Sequence, residues 1–142
     1  MRNIQISNVT AHTRSIMPSV IAGLTESAIE DVRLSNIRIF IPITVDAEFF
    51  KTFPNPVPED VKRYPELRIT FGLKLPSSSF YIKNVNGITM SDISVTYDEN
   101  EARPAIYFQG VQNIRLNHIL INNKNLEKNK ALLVMKSSSM IN

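Results

Sequence analysis

Hydrophobic residues recur along this chain at intervals of two and three positions, and the arrangement that begins at Phe80 begins again at Ile106, a period of 26. Seven apolar residues of the first copy each have an apolar counterpart in the second. The first set is Phe80, Ile82, Val85, Ile88, Met90, Ile93 and Val95, and the second is Ile106, Phe108, Val111, Ile114, Leu116, Ile119 and Ile121. A match at every position without a gap predicts repeated structural units.

Other segments carry the same arrangement. The earlier copies are Met1, Ile4, Ile6, Val9 and Ala11, and then Ile29, Val32, Leu34, Ile37 and Ile39. The period from Met1 to Ile29 is 28, and the interval from Ile29 to the copy at Val85 is twice that period. A final partial copy is expected through Leu132 and Val134, again with a period of 26, and it stops at Ser137.

Steps of two and three predict short strands joined at corners. A step of two keeps side chains on one face of a strand, and a step of three breaks that alternation. The predicted corners are polar pairs: Ser7-Asn8, Ser35-Asn36, Ser91-Asp92 and Asn117-His118. Asn and Asp tolerate the left-handed backbone that tight corners require. The pattern therefore predicts an all-β fold, a single-stranded parallel β-helix whose coils bury their apolar residues by stacking.

A leucine-rich repeat is the nearest alternative, because its repeat length covers the same range. Its pattern also begins with apolar residues at positions one, four and six. It then requires Asn or Cys at position nine, where this chain has Ile37, Ile93 and Ile119. The β-helix is therefore the favoured interpretation.

Residues 40–79 interrupt the repeat and hold six of the eight prolines. Proline cannot donate to a strand ladder, so this stretch is predicted to be an excursion loop. The interval from Ile29 to Val85 has room for an additional coil that carries the loop, with one helical turn over residues 58–63. Aromatic residues indicate that the loop packs on the surface of the coils instead of acting as a linker; they are Phe49, Phe50, Phe53, Tyr64 and Phe71.

Composition adds few constraints. The 142 residues indicate one domain, residues 1–142, and the net charge of +3 comes from scattered basic residues. The absence of cysteine excludes disulfides and thiolate metal sites. No apolar run reaches the eighteen or so residues of a membrane span, and the N-terminus has no signal-peptide pattern.

Candidate catalytic groups are few. The carboxylates that could act in pairs are Glu30-Asp31, Glu59-Asp60, Asp98, Glu99 and Glu101. Adjacent residues in a strand point to opposite faces, and the stretch from Asp98 to Arg103 is typical of a solvated loop. The corner position of His118 indicates a structural role, and His12 has no partner at metal-ligand spacing. No residue is predicted to be catalytic, to bind a cofactor or to hold a metal.

Several runs resemble the C-terminal coils of polygalacturonase-like enzymes, the pectin-degrading glycoside hydrolase family 28. The resemblance rests on residues 3–10 (NIQISNVT) and 29–37 (IEDVRLSNI), and on the excursion with Val57-Pro58-Glu59, Tyr64-Pro65-Glu66, Phe71-Gly72 and Leu75-Pro76. It continues through residues 80–85 (FYIKNV) and Ala102-Arg103-Pro104-Ala105. Nearly the whole chain is covered, and bacterial members are the most similar.

The resemblance implies a right-handed, pectin-lyase-like β-helix, a periplasmic or secreted protein, and an acidic polysaccharide that contains galacturonate. Family members use Asn-x-Asp, Asp-Asp, Gly-His-Gly and Arg-x-Lys elements, and this chain lacks the last three. It is therefore expected to be the C-terminal part of such an enzyme, inactive alone because the catalytic carboxylates lie upstream. The alternative is a non-catalytic β-helix that binds glycan or protein.

The N-terminal coil is expected to be an exposed end of the solenoid. Ile4 and Ile6 would lie on an uncovered strand, whereas Lys136 and the serines that follow it end the apolar pattern with polar residues. An open strand edge pairs readily with another chain. Self-association through this coil, or its cover by another protein segment, is therefore expected. Neither nucleic acid nor a membrane is predicted as a partner.

Overall fold

The computed structural model describes residues 1–54, 57, 74–97, 100–126 and 133–141, and its fold is all-β. The strands are β1 (Arg2–His12), β2 (Ser19–Ala22), β3 (Ile29–Ile41), β4 (Phe80–Lys83), β5 (Val85–Tyr97), β6 (Ile106–Gln109), β7 (Gln112–Ile121), β8 (Lys124–Asn125) and β9 (Leu133–Lys136). Within the described ranges the only α-helix is α1 (Ala47–Phe50), which the side chain of Asp46 caps at its N-terminus. The repeat did not predict this short helix.

The strands form two open sheets that the chain visits in alternation. Sheet A has the order β1-β3-β5-β7-β8, and sheet B has the order β2-β4-β6-β9. Every pairing is parallel except the short antiparallel pair β7–β8. The backbone therefore passes from one sheet to the other and back, through the long excursion between β3 and β4 and through shorter segments between the other strands, and equivalent residues come to lie side by side.

The register of sheet A is the one that the repeat predicts. Ile4 lies beside Val32, which lies beside Ile88, which lies beside Ile114. Met90 pairs with Leu116 as predicted. These residues belong to one hydrophobic core, in which the apolar side chains of both sheets meet. Full burial of one such side chain contributes about 1.5–3 kcal/mol, so the apolar rows stabilise the stack of strands.

Sheet A bends twice along its strands at residues with left-handed backbone. The predicted corners are confirmed, because Asn8, Asn36, Asp92 and His118 all have φ between 50° and 58°. A second row lies five positions earlier and consists of Asn3, Asp31, Gly87 and Asn113. Gly, Asn and Asp adopt this conformation most readily. Because the corner residues of neighbouring strands lie side by side, the strands stay parallel through both bends.

A glycine is required where the chain passes from β2 into β3. A Cβ atom on Gly23 would lie 2.4 Å from the carbonyl oxygen of Asn84 and 2.9 Å from the amide nitrogen of Ile29. Both neighbours are backbone atoms, which cannot move aside independently. The side-chain amide of Asn84 also donates to the carbonyl oxygen of Gly23. The close approach links Asn84, the residue that follows β4, to the segment that joins β2 to β3.

The expected additional coil is not found, because the excursion inserts no strand between the paired strands on either side of it. β3 pairs directly with β5, and β2 pairs directly with β4, so no further strand separates them. The prediction that the excursion packs on the coils is confirmed for its described part. Phe53, Val57 and Leu75 are buried, and the last two pack with Tyr81 on sheet B. The predicted helical turn at 58–63, Tyr64 and Phe71 lie outside the described residues.

The step from β6 to its partner strand β9 is one position longer than predicted. Ile106 pairs with Leu133, and Phe108 pairs with Met135, so the expected period of 26 is wrong there. Val134 therefore lies beside Tyr107 and not beside Phe108. Leu132, the other residue of the predicted copy, lies outside the described residues.

Candidate functional site

A groove of about 560 Å³ runs along the outer face of sheet A, on the segment that follows the corners at Asn36, Asp92 and His118. We call it the outer groove. It is lined by Asn36, Arg38, Phe40, Asp92, Ile93, Ser94, Thr96, His118 and Leu120. These residues come from three adjacent strands, β3, β5 and β7.

The strand register explains why a groove forms here. Ser94 pairs with Arg38 on one side and with Leu120 on the other, and Thr96 pairs with Phe40. Small side chains therefore form the floor on β5, while larger ones on β3 and β7 form the walls. The two flanking strands lie about 9–10 Å apart, twice the spacing between neighbouring strands. A trough of this width accepts a single extended ligand chain.

Arg38 supplies the positive charge of the groove. None of the described ion pairs includes its guanidinium. By contrast Arg33, on the same strand but before the corner, lies 3.6 Å from the carboxylate of Asp31. An arginine can bind a carboxylate through two parallel hydrogen bonds. Arg38 is therefore available to a ligand anion.

The corner row supplies polar groups at one end of the groove. Nδ1 of His118 lies 2.8 Å from Oδ1 of Asp92, and both side chains are more than half exposed. The carboxylate favours a proton on Nδ1 of the imidazole. In the neutral ring Nε2 is then left as a hydrogen-bond acceptor. The pair presents hydrogen-bonding atoms at a fixed position because both residues lie on aligned corners.

An aromatic stack forms one wall of the groove. The rings of His12 and Phe40 lie 4.6 Å apart between centroids and 18° from parallel. Strand register produces this contact, since His12 pairs with Phe40. The Phe40 side chain keeps 37% of its surface exposed. An exposed aromatic ring that a neighbour holds in place offers a flat apolar surface to a ligand.

A second concavity of about 470 Å³ lies where the excursion packs on sheet B. It is largely apolar and is lined by residues that include Phe50, Phe53, Pro104 and Tyr107. Burial raises the pKa of Tyr107 above its ordinary value. Lys51 also lines the concavity, but its ammonium group pairs with Glu48. This site offers fewer free polar groups than the outer groove does.

Among the carboxylates that the sequence singled out, the structure describes Glu30, Asp31 and Glu101. Glu30 and Asp31 were expected to point to opposite faces of a regular strand. Both side chains are exposed instead, because Asp31 is a corner residue with left-handed backbone. Glu101 and Arg103 are not in a solvated loop: both side chains are fully buried and form an ion pair. Glu59, Asp60, Asp98 and Glu99 lie outside the described residues.

The residues that line the outer groove include two that sequence reasoning missed, Arg38 and Phe40. Their signal is present in the repeat, because both occupy outward positions after the corner at Asn36. The corresponding positions on β5, Ser94 and Thr96, are small. A comparison of outward positions across coils could therefore have found the trough, whereas the pattern of apolar positions follows only the inward rows.

Within the described part of the chain no three His, Asp or Glu side chains come together as metal ligands. None of the described helices has the length and apolar character needed to cross a membrane. Comparison with protein-family models, with curated proteins and with solved structures gives no significant match.

Proposed function

We propose that this chain is the C-terminal part of a polygalacturonase-like enzyme and supplies a binding surface for an acidic polysaccharide. Its architecture in this proposal is a right-handed parallel β-helix of the pectin-lyase type, and its location is the periplasm or the outside of the cell. Strands that alternate between two parallel sheets, with corners aligned from strand to strand, support the β-helix.

The observation that carries the proposal is the arrangement of Arg38 and Phe40 above the small floor of the outer groove. A galacturonate ring has an apolar C–H face and a carboxylate at its edge. The ring face would stack on Phe40, and the carboxylate would bind the guanidinium of Arg38. Hydroxyl groups of the sugar would bind the His118–Asp92 pair. A groove lined on one side by an aromatic ring and a free arginine suits this ligand better than a neutral one.

The proposal assigns binding and not hydrolysis to this chain. Glycoside hydrolysis usually requires two carboxyl groups on opposite sides of one bond. Three of the described carboxylates already have a basic partner: Glu101 is buried against Arg103, Asp92 binds His118, and Asp31 lies beside Arg33. As the family resemblance implies, the catalytic groups would be supplied by coils upstream of this sequence. The purified chain is expected to release no reducing ends from polygalacturonate.

The alternative is a non-catalytic module that binds protein. The apolar residues of β1 favour it, since Ile6 is 41% exposed at the edge of sheet A. Polysaccharide binding and protein binding use different surfaces of the chain. Variants of the outer groove therefore separate the two functions.

Calorimetric titration of the chain with galacturonate oligomers tests the proposal. Arg38→Ala should weaken binding at least about ten-fold, because it removes the charged hydrogen-bond donor of the ligand carboxylate. Arg33→Ala removes the same charge from the same strand outside the groove and should leave the affinity within about two-fold, as a rim charge does. Methyl-esterified oligomers, which lack the carboxylate, should not respond to Arg38→Ala.

Substitution of two exposed phenylalanines tests the stacking of the sugar ring. Phe40→Ala should weaken binding of both oligomers, whereas Phe49→Ala should not, although its side chain is 42% exposed. Equal losses from the two arginine variants would reveal unspecific charge attraction and contradict the proposal. Robust hydrolysis that a substitution within this chain abolishes would contradict the assignment of binding alone.

A further inference from the structure

A second exposed arginine on the outer face of sheet A has no acidic partner among the described residues. Arg115 lies on β7 between Ile114 and Leu116, whose side chains belong to the hydrophobic core or pack against it. Its own side chain is exposed, and none of the described ion pairs includes its guanidinium. Arg115 is therefore as available to an anion as Arg38 in the outer groove.

Arg33 occupies the equivalent position on β3, but it already has a partner. The two arginines belong to one row across the sheet, because Thr89 pairs with Arg33 on one side and with Arg115 on the other. The guanidinium of Arg33 lies 3.6 Å from the carboxylate of Asp31, two residues earlier. Two residues before Arg115 the chain has Asn113, which carries no charge.

Asp31 and Asn113 are both corner residues of sheet A, with φ of 52° and 58°. Aspartate and asparagine both adopt this left-handed backbone, so the corner accepts either residue. Their side chains make different contacts: the Asp31 carboxylate faces Arg33, whereas Nδ2 of Asn113 donates to Oδ1 of Asn86. The choice between acid and amide at this corner therefore decides whether the arginine two residues later is paired.

The two free arginines lie on opposite sides of the same strand, β5. Arg38 on β3 pairs with Ser94, and Arg115 on β7 pairs with Thr89. The five residues from Thr89 to Ser94 span at most about 17 Å along the strand. An extended ligand that lies along β5 therefore has one arginine on each side, at two separate points of its length.

The corner at Asp92 lies between these two points. Its carboxylate is 2.8 Å from Nδ1 of His118, so it is held at the surface and repels a second carboxylate there. A polyanion that places its carboxylates beside Arg38 and Arg115 puts its hydroxyl groups at the corner and avoids this repulsion. The charges thus favour a ligand whose acidic groups are spaced apart by neutral polar ones.

We infer that Arg115 binds a second carboxylate of the polysaccharide, which passes from the outer groove over the corner at Asp92 onto the preceding segment of sheet A. This inference rests on the proposed function and specifies its ligand: a chain of several acidic sugars, long enough to reach both arginines. The ion pair with Asp31 keeps Arg33 out of the site.

Calorimetric titration with unesterified galacturonate dimers and octamers tests the inference. The dimer is shorter than the separation between the two arginines, so Arg115→Ala should leave its affinity within about two-fold. The same substitution should weaken binding of the octamer about five-fold, the effect of one lost hydrogen bond. Arg38→Ala should weaken binding of both oligomers.

Two corner substitutions change the pairing of an arginine and leave both arginines in place. Asn113→Asp should pair Arg115 as Asp31 pairs Arg33, and it should weaken binding of the octamer as much as Arg115→Ala does. Asp31→Asn should free Arg33 and strengthen binding of the octamer about five-fold. Arg33→Ala added to Asp31→Asn should remove this gain. Both corner residues tolerate left-handed backbone, and circular dichroism checks that each variant is folded.

Glu30→Gln is the matched control, because it removes one exposed negative charge next to Asp31 from a residue outside the described ion pairs. It should leave the affinity for the octamer within about two-fold. Equal gains from Glu30→Gln and Asp31→Asn would show general charge attraction and overturn the inference.

The outcome at Arg38 separates this inference from the proposed function. If Arg38→Ala weakens binding but Arg115→Ala and Asn113→Asp leave the octamer bound as tightly as before, the second contact is refuted and the proposed function stands. If neither oligomer binds, or if Arg38→Ala has no effect on either, both are refuted. A loss at Arg115 that is confined to the octamer supports both.

Discussion

The guanidinium of Arg103 and the carboxylate of Glu101 form a bidentate ion pair that is fully shielded from solvent. Nε donates to Oε1 at 2.9 Å, and Nη2 donates to Oε2 at 2.8 Å. The remaining nitrogen, Nη1, donates to the carbonyls of Ile16 and Ser77, and the carboxylate accepts from the amide of Val45. The pair thus joins both ends of the excursion to the loop that precedes β2.

Removal of one partner from this pair should strongly destabilise the fold. Glu101→Gln leaves the positive charge of Arg103 buried without a counter-charge, and it should lower the free energy of unfolding by about 3–5 kcal/mol. The exposed pair of Glu48 and Lys51 provides the control, because Glu48→Gln should cost no more than about 1 kcal/mol. Urea denaturation measures both. Similar losses in the two variants would contradict the structural role of the buried pair.

Variants of Asn36 test whether its left-handed backbone or its side-chain hydrogen bond to Asn8 stabilises sheet A. The φ of Asn36 is 50°, a conformation that costs most residues about 1–2 kcal/mol. Asn36→Ala should therefore lower the free energy of unfolding by about that amount. Asn36→Gly loses the same hydrogen bond to Asn8 but tolerates the backbone, so it should be the more stable of the two.

Thermal and urea denaturation of both Asn36 variants give the comparison directly. Equal losses would assign the effect to the hydrogen bond with Asn8 and not to the backbone. A Gly variant less stable than the Ala variant would contradict the corner interpretation.

The repeat predicted the register of sheet A because one physical constraint determines both. Every inward residue must meet an apolar neighbour, so the step between copies of the pattern is also the step between paired strands. The rule that steps of three mark corners was correct, and it also predicts two corners that the sequence analysis did not name. These corners are Asn84, which lies between Ile82 and Val85, and Gly87, which lies between Val85 and Ile88. Both residues have positive φ.

Other features could not be read from the same pattern. β2 is only four residues long and lies outside the apolar repeat used to define the coils. The burial of Arg103 depends on carbonyl groups at Ile16 and Ser77, which are distant in sequence. A charged residue beside Pro104 is typical of a solvated loop, and only the folded chain brings its partners together. The family resemblance and the ligand of the outer groove stay predictions.

Two buried serines, Ser77 and Ser79, differ in their hydrogen bonding, and mutation can measure the difference. Both are buried, but Oγ of Ser79 donates to the carbonyl of Ala105, whereas Oγ of Ser77 has no partner among the described residues. An unsatisfied buried hydroxyl is destabilising. Ser77→Ala should therefore leave the free energy of unfolding unchanged or raise it by up to about 1 kcal/mol.

Ser79→Ala is the matched control and should lower the free energy of unfolding by about 1 kcal/mol, the contribution of one hydrogen bond. Denaturation of the two variants under identical conditions gives the comparison. A larger loss for Ser77→Ala than for Ser79→Ala would show that the hydroxyl of Ser77 has a partner in solution.

Tyr97 should make the fold sensitive to alkaline pH. Burial of its ring, and secondarily the charge of Glu101, raise the pKa of the Tyr97 hydroxyl above its ordinary value. The side-chain amide of Asn122 bonds both the N–H and the C=O of Tyr97 at 2.8 Å, which holds the residue at the end of β5. The folded chain therefore favours the neutral phenol more strongly than the unfolded chain does.

The sign of the effect follows from linkage. The contribution of Tyr97 to stability is fully present below the unfolded pKa of about 10 and is lost as the pH rises through the higher folded pKa. The urea midpoint should therefore fall more steeply between about pH 9 and about pH 11 for the unmodified chain than for Tyr97→Phe. Lysines and the other tyrosines, including Tyr107, titrate in both proteins and cancel in the difference. Parallel pH profiles would show that the Tyr97 hydroxyl is equally solvated in the folded and unfolded chains.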